Sequence, residues 1–120
     1  MLYEAQGIKR FVVVCGYTDL RKGVDGLSQI IQGSYQLDPF ELNTLFLFCG
    51  KRGDRIKALL WEGNGFLLLY KRWEHGSLFW PRTPNEATEI SKHEFRLLLQ
   101  GLNPITPKNF FRPCKVAAIA

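Results

Sequence analysis

The 120-residue chain carries 16 Lys and Arg against 11 Asp and Glu, a formal charge of +5, and 46% of it is hydrophobic. Those figures describe one soluble globular domain, large enough to bury about two-thirds of its unfolded surface without disulfides or structural metal, and they exclude a multidomain catalytic architecture. The apolar runs 11–15, 45–49 and 66–70 are far shorter than the roughly 20 residues a membrane helix needs.

Residues 1–9 are mixed and carry Glu4 where an export signal would have early positive charge, so a cytoplasmic location is expected. Cys15, Cys49 and Cys114 form no Cys-x-x-Cys pair, and their odd number suits reduced thiols better than a disulfide framework. Cys15 and Cys49 end apolar runs, where a small sulfur side chain packs as a hydrophobe. Neither His75 nor His93 has a ligand-spaced partner, and no metal or other cofactor is expected.

The first element is a strand: residues 10–15 are rich in β-branched side chains and stop at Gly16. A helix follows, capped by Thr18 or Asp19, with Leu20, Val24, Leu27 and Ile31 as its apolar stripe and Gly33 as its stop. Gly23 and Gly26 fall inside it, each costing about 1 kcal/mol relative to Ala, which points to a close backbone approach or a frayed first turn. Residues 34–43, with Asp38-Pro39, form a connection. Four aromatic or aliphatic runs come next, at 44–49, 56–62, 66–73 and 77–80. The glycine-bearing spacers 50–54, 63–65 and 74–76 are too short for parallel crossovers, so the four runs predict an antiparallel meander.

Residues 81–89 carry two prolines and read as a connection. A second helix then has a full start signal: Ser91 as N-cap, Glu94 closing a capping box, and Ile90 with Phe95 as hydrophobic staple. Phe95, Leu98, Leu99 and Leu102 make its stripe, Gly101 its C-terminal cap, and Pro104 lies just beyond. The expected class is α+β, with a mainly antiparallel β-meander sheet and two helices packed on one face. Residues 1–103 form the domain and 104–120 a C-terminal tail that is flexible or docked on a partner. Runs 45–48 and 66–69 are apolar at consecutive positions and so present apolar side chains to both sheet faces. The face without helices is then covered by the tail, a second copy, another protein, or the curvature of the sheet itself.

Positive charge gathers at Arg21-Lys22, at Lys51, Arg52, Arg55 and Lys57, and at Lys71-Arg72, with Arg82 farther on. If folding brings the turn after the second strand close to the first helix start, these residues make one basic surface able to neutralise backbone phosphates. Trp61, Tyr70, Trp73 and Trp80 are candidates for base stacking. The alternative is that the cations decorate solvated strand edges and the tryptophans fill the core. Asp19, Asp25, Asp54 and Glu62 lie in or beside glycine-bearing turns where a metal-dependent nuclease could hold acids, yet no acid pair has a catalytic companion. Gly50-Lys51-Arg52-Gly53 lacks the spacing and the Lys-Ser/Thr ending of a phosphate-binding P-loop.

Several motifs in fixed order then give a family resemblance. Asp19-Leu20-Arg21-Lys22-Gly23-Val24-Asp25-Gly26-Leu27, Gly53-Asp54-Arg55-Ile56-Lys57, Trp61-Glu62-Gly63-Asn64-Gly65, Tyr70-Lys71-Arg72 and Phe79-Trp80-Pro81 closely resemble the Orf-two, or TnpB-type, accessory proteins of the IS-sixty-six group of bacterial insertion sequences. The resemblance spans about residues 10–103. Departures are Glu62 where Asp is usual, Trp73 where an aliphatic is usual, and a less arginine-rich turn at 51–53. It implies a protein encoded beside a larger DDE-type transposase and needed for efficient movement of the element, and it does not imply that this chain cuts DNA.

Together these readings give a non-catalytic accessory factor in transposition. Arg21, Lys22, Lys51, Arg52, Arg55, Lys57, Lys71 and Arg72 would engage DNA backbone with low base specificity, because phosphate contacts position a complex without reading its sequence. The transposase of the same element and a second copy are the expected protein partners, and no membrane is involved. The competing reading is an interaction module that meets an acidic patch of the transposase and binds no DNA itself.

Overall fold

Phe11, Val12, Val13 and Val14 are all buried, which requires a strand covered on both faces, and the run sits inside the sheet accordingly. The computed structural model describes residues 7–78, 80–83 and 86–100. Its elements in chain order are β1 (Arg10–Tyr17), α1 (Val24–Gln29), β2 (Thr44–Cys49), β3 (Arg55–Trp61), β4 (Phe66–Arg72), β5 (Ala87–Ile90) and α2 (Lys92–Leu99). The five strands make one sheet in the order β4-β3-β2-β1-β5.

The α+β class is as expected, but the sheet is mixed. β1 and β2 are parallel, with Phe11 opposite Leu45 and Val13 opposite Leu47, while the β2-β3, β3-β4 and β1-β5 pairs are antiparallel. Residues 18–43 include α1 and are long enough for the crossover that a parallel pair demands. The hairpins β2-β3 and β3-β4 lie where the glycine-bearing spacers place them.

Two other expectations fail. Ser77, Leu78 and Trp80, read as part of a strand, lie in none. Leu78 donates its amide to the Gly53 carbonyl at 2.7 Å, the Trp80 indole N–H donates to the Val14 carbonyl at 2.9 Å, and the Gly16 amide donates to the Pro81 carbonyl. The segment thus crosses the end of the sheet from the β2-β3 turn to β1. Gly53, at φ +74°, has the Leu78 carbonyl oxygen 3.2 Å from where a Cβ would stand, so any side chain there meets both strain and backbone. The fifth strand is instead Ala87–Ile90, which takes the end of the proline-bearing stretch 81–89 and the staple residue Ile90.

The helices also divide between the faces. Phe11 and Val13 of β1 and Leu45 and Leu47 of β2 share a buried cluster with Phe95, Leu98 and Leu99 of α2. Val12, Val14, Phe46, Phe48 and Leu59 share another with Leu27, Ile31, Tyr35 and Leu37. Strand residues of alternating parity feed the two clusters, so α1 and α2 cover opposite faces rather than one. The second face needs neither tail nor partner to bury its centre.

α1 is shorter than its apolar stripe predicts. It begins at Val24 with Gly23 as an N-cap that makes no side-chain cap bond, and it widens after Gln29 into a π-helical turn, Ile30–Ser34. Gly23 therefore stands outside the helix. The site of a Cβ on Gly26 would lie 3.0 Å from the Lys22 side chain, a contact with a methylene stem rather than with another backbone. At α2 the capping box is complete: Glu94 N–H donates to Ser91 Oγ at 3.0 Å and Ser91 N–H to Glu94 Oε1 at 2.8 Å. Leu102, Gly101, Pro104, Phe79 and the 104–120 tail lie outside the described residues.

Candidate nucleic-acid interface

The loop that follows β1 folds back on itself instead of capping α1. Asp19 Oδ1 accepts the Arg21 amide and Nε–H, both at 3.0 Å, and Oδ2 accepts Nη2–H at 2.8 Å. This carboxylate turn keeps Leu20 out of the helix and sets Arg21 at the surface with its side chain 91% exposed. The Arg21 guanidinium and amide hold the Asp19 carboxyl down at about 2.

The β2-β3 turn supplies the second group. Lys51 and Arg52 are exposed at its tip, and Arg55 opens β3, its Nε–H donating to Asp54 Oδ1 at 3.0 Å. That bond lowers the Asp54 pKa and raises that of Arg55. The third group comes from β4, where register sets Arg72 opposite Arg55 and Tyr70 opposite Lys57. Arg72 is itself paired with Glu74 at 2.9 Å.

These groups meet in an open cleft of about 540 Å³ lined by Tyr17, Thr18, Asp19, Leu20, Arg21, Gly50, Lys51, Arg52, Arg55 and Tyr70. Lys57 Nζ donates to the Lys22 carbonyl at 3.0 Å, which fastens β3 to the start of α1 beside the cleft. Seven of the eight predicted cations thus lie on or next to one end of the α1 face: four line the cleft, Lys22 and Lys57 adjoin it, and Arg72 faces Arg55 across the hairpin. Three carry a carboxylate partner, whereas Lys22, Lys51, Arg52 and Lys57 have no ion pair among the described residues. The paired arginines remain useful to a polyanion, because exposed ion pairs are worth little and yield to a stronger acceptor.

Lys71 is the exception. It shares the opposite sheet face with Leu67 and Leu69, its Nζ donates to the Leu99 carbonyl at the end of α2, and it stands 5.1 Å from the Trp73 ring centroid. Of the predicted stacking residues only Tyr70 reaches the cleft. Trp80 is 2% exposed in the core, and Trp73 is half-buried on the α2 face. Trp61 stands at the far end of β3 among Phe40 and Phe66, with centroid separations of 5.0 and 4.9 Å. Tryptophans tend to be placed by the core, and Trp80 and Trp73 follow that tendency, whereas Trp61 packs on the exposed Phe40 outside both buried clusters.

Tyr17 was missed. Gly16, at φ +82°, lies in a register shift between Val13 and Tyr17. β1 spends four residues there against two of β2, and beyond this irregular stretch, at the end of the sheet, Tyr17 lines the cleft with Leu20 and Tyr70. A glycine at the end of an apolar run, followed by an aromatic, was the available signal.

Asp19 and Asp54 are engaged by arginines, and no three His, Cys, Asp or Glu side chains gather as a metal site among the described residues. No described helix is long and apolar enough to cross a membrane.

The family model described as IS66 Orf2 like protein matches residues 9–109. Two proteins of Sinorhizobium fredii (strain NBRC 101917 / NGR234) are each 33% identical to the chain. "Uncharacterized protein y4jC" matches over 98% of this chain and 100% of its own length, and "Uncharacterized protein y4hO" over 97% and 99%. No solved structure matches. The chain belongs to the IS66 Orf2-like family, the transposition-associated accessory proteins of bacterial insertion sequences.

Proposed function

We propose that this protein serves its element as a non-catalytic DNA-binding factor, gripping DNA backbone at the basic cleft while a separate DDE-type transposase carries out the chemistry. The convergence of Arg21, Lys51, Arg52 and Arg55 from two distant loops on one cleft supports this reading most directly. With Lys22, Lys57 and Arg72 beside them, these seven cations outnumber the three carboxylates paired to them and leave a net positive end to the sheet. Such a surface attracts polyanion at long range and weakens steeply with salt. Nothing in it resembles a recognition helix, so low base specificity follows. Protein contact with the transposase belongs to another part of the molecule in this reading; Phe40 and Leu42 are exposed at the opposite end of the sheet.

Affinity for DNA measured across a salt series tests the proposal. Arg52→Ala should reduce the slope of log affinity against log salt by about 1, as should Arg55→Ala, while Lys71→Ala, outside the cleft, should leave it unchanged. Absence of any complex with duplex or single-stranded DNA at low salt would leave the protein-only reading in its place.

A further inference from the structure

A surface that held only phosphates would need cations and little else, yet this cleft has an apolar interior. Gly50 is buried against Leu20, a Cβ on Gly50 standing 3.2 Å from Leu20 Cδ1. Two tyrosines line the same cleft, 45% and 51% exposed at Tyr17 and Tyr70. They are two of the four large hydrophobic side chains that stand exposed among the described residues, and both are at the basic site. The volume of about 540 Å³ lies within the roughly 300–1,000 Å³ typical of small-molecule sites. In duplex DNA the faces of the bases are covered by their neighbours, and nothing in its backbone would fill such a space. An unpaired base has two bare π-faces and a phosphate on either side.

We propose that the cleft holds one unstacked nucleotide of single-stranded DNA, its base against the rings of Tyr17 and Tyr70 and its phosphates on Arg21, Lys51 and Arg52. The inference rests on the DNA-binding reading above and narrows it to single strands. Two features of the chain support the arrangement. The irregular stretch of β1 around Gly16 immediately precedes Tyr17, and bulges are over-represented beside functional sites. The cations come from two loops that line the same cleft as the tyrosines, which sets phosphate contact beside the stacked base. Stacking on tyrosine tolerates any base, in keeping with low sequence specificity.

Fluorescence anisotropy with a labelled oligothymidylate and with a duplex of equal length provides the test. The wild-type chain should bind the single strand more tightly. Tyr17→Ala and Tyr70→Ala should each weaken single-strand binding by roughly five-fold to over a hundred-fold, the range for loss of one base-aromatic stack, with little change in duplex binding or in the salt slope. Tyr17→Phe and Tyr70→Phe keep the ring and should retain the preference, which separates lost stacking from a damaged fold. Equal affinity for both DNA forms, insensitive to either Tyr→Ala change, would overturn the nucleotide cleft and leave the backbone reading standing. Failure to bind DNA in any form would end both.

Discussion

The Lys57 ammonium donates to the main-chain carbonyl of Lys22 at 3.0 Å, across 35 residues of sequence. The bond ties the third strand to the turn before α1 and fixes the spacing of the cationic loops on either side. A charged donor on a surface carbonyl contributes modestly to stability, but here it also sets geometry. Lys57→Met should cost about 0.5–1 kcal/mol in urea unfolding, with an unchanged denaturant slope. The same variant should weaken DNA binding by more than the loss of one distant charge, as a matched Lys71→Met comparison would show. Equal effects from the two substitutions would mean that the tether positions nothing.

Asp19 should remain ionised in acid. Its carboxyl is held at about 2 by hydrogen bonds from Arg21, against an ordinary value near 4. With the folded value below the unfolded one, its contribution to stability is present above pH 4 and disappears as pH falls from there toward 2. Carbon-detected NMR titration of the carboxyl is the direct measurement. In Arg21→Ala the midpoint should return to the ordinary carboxylate range; a midpoint that stayed near 2 would assign the shift to some other neighbour.

The sequence revealed most where local rules decide the structure. Ser91 and Glu94 wrote the start of α2, and the glycine spacers wrote both hairpins between β2 and β4. Pairing between distant segments has no comparable local signature, so the parallel β1-β2 contact went unread although the unbroken Phe11–Val14 burial is what a central strand requires. β5 is four residues long, too short for a convincing alternation. The run 77–80 has strand-like composition, but Leu78 and Trp80 spend their hydrogen bonds on Gly53 and Val14. At the cleft, the cation clusters were visible and their convergence was not. The displacement of Lys71 was readable all along, because it alternates with Tyr70 and Arg72 and so points to the other face of β4.

The two buried cysteines should be inert. Burial pushes the Cys49 thiol up to about 12, with Asp54 adding to the rise. It pushes Cys15 to about 11, where a Thr88 hydrogen bond opposes it and Glu86 reinforces it. Thiolate is the reactive form, so in a Cys114→Ser background a disulfide reagent at neutral pH should label neither residue until denaturant is added. Because both folded values lie above the unfolded one, their contribution to stability is intact below about pH 8.5 and falls as pH rises beyond it. Rapid native-state labelling of either thiol would contradict this burial.

Trp80 should prove structural rather than a binding residue. Its ring is 2% exposed in the α2-side cluster, and its indole N–H satisfies the Val14 carbonyl within the irregular stretch of β1 that leads to Tyr17. Trp80→Phe removes that donor and leaves a void, at a cost of about 2–4 kcal/mol in chemical unfolding. Without the indole the Val14 carbonyl loses this donor, and the irregular stretch of β1 that contains it should shift to recover another. Single-strand affinity should therefore fall, while the salt slope, set by loops that do not touch the indole, should stay constant. A cost under about 1 kcal/mol would show that the carbonyl finds another partner without strain and that the bulge holds its shape unaided.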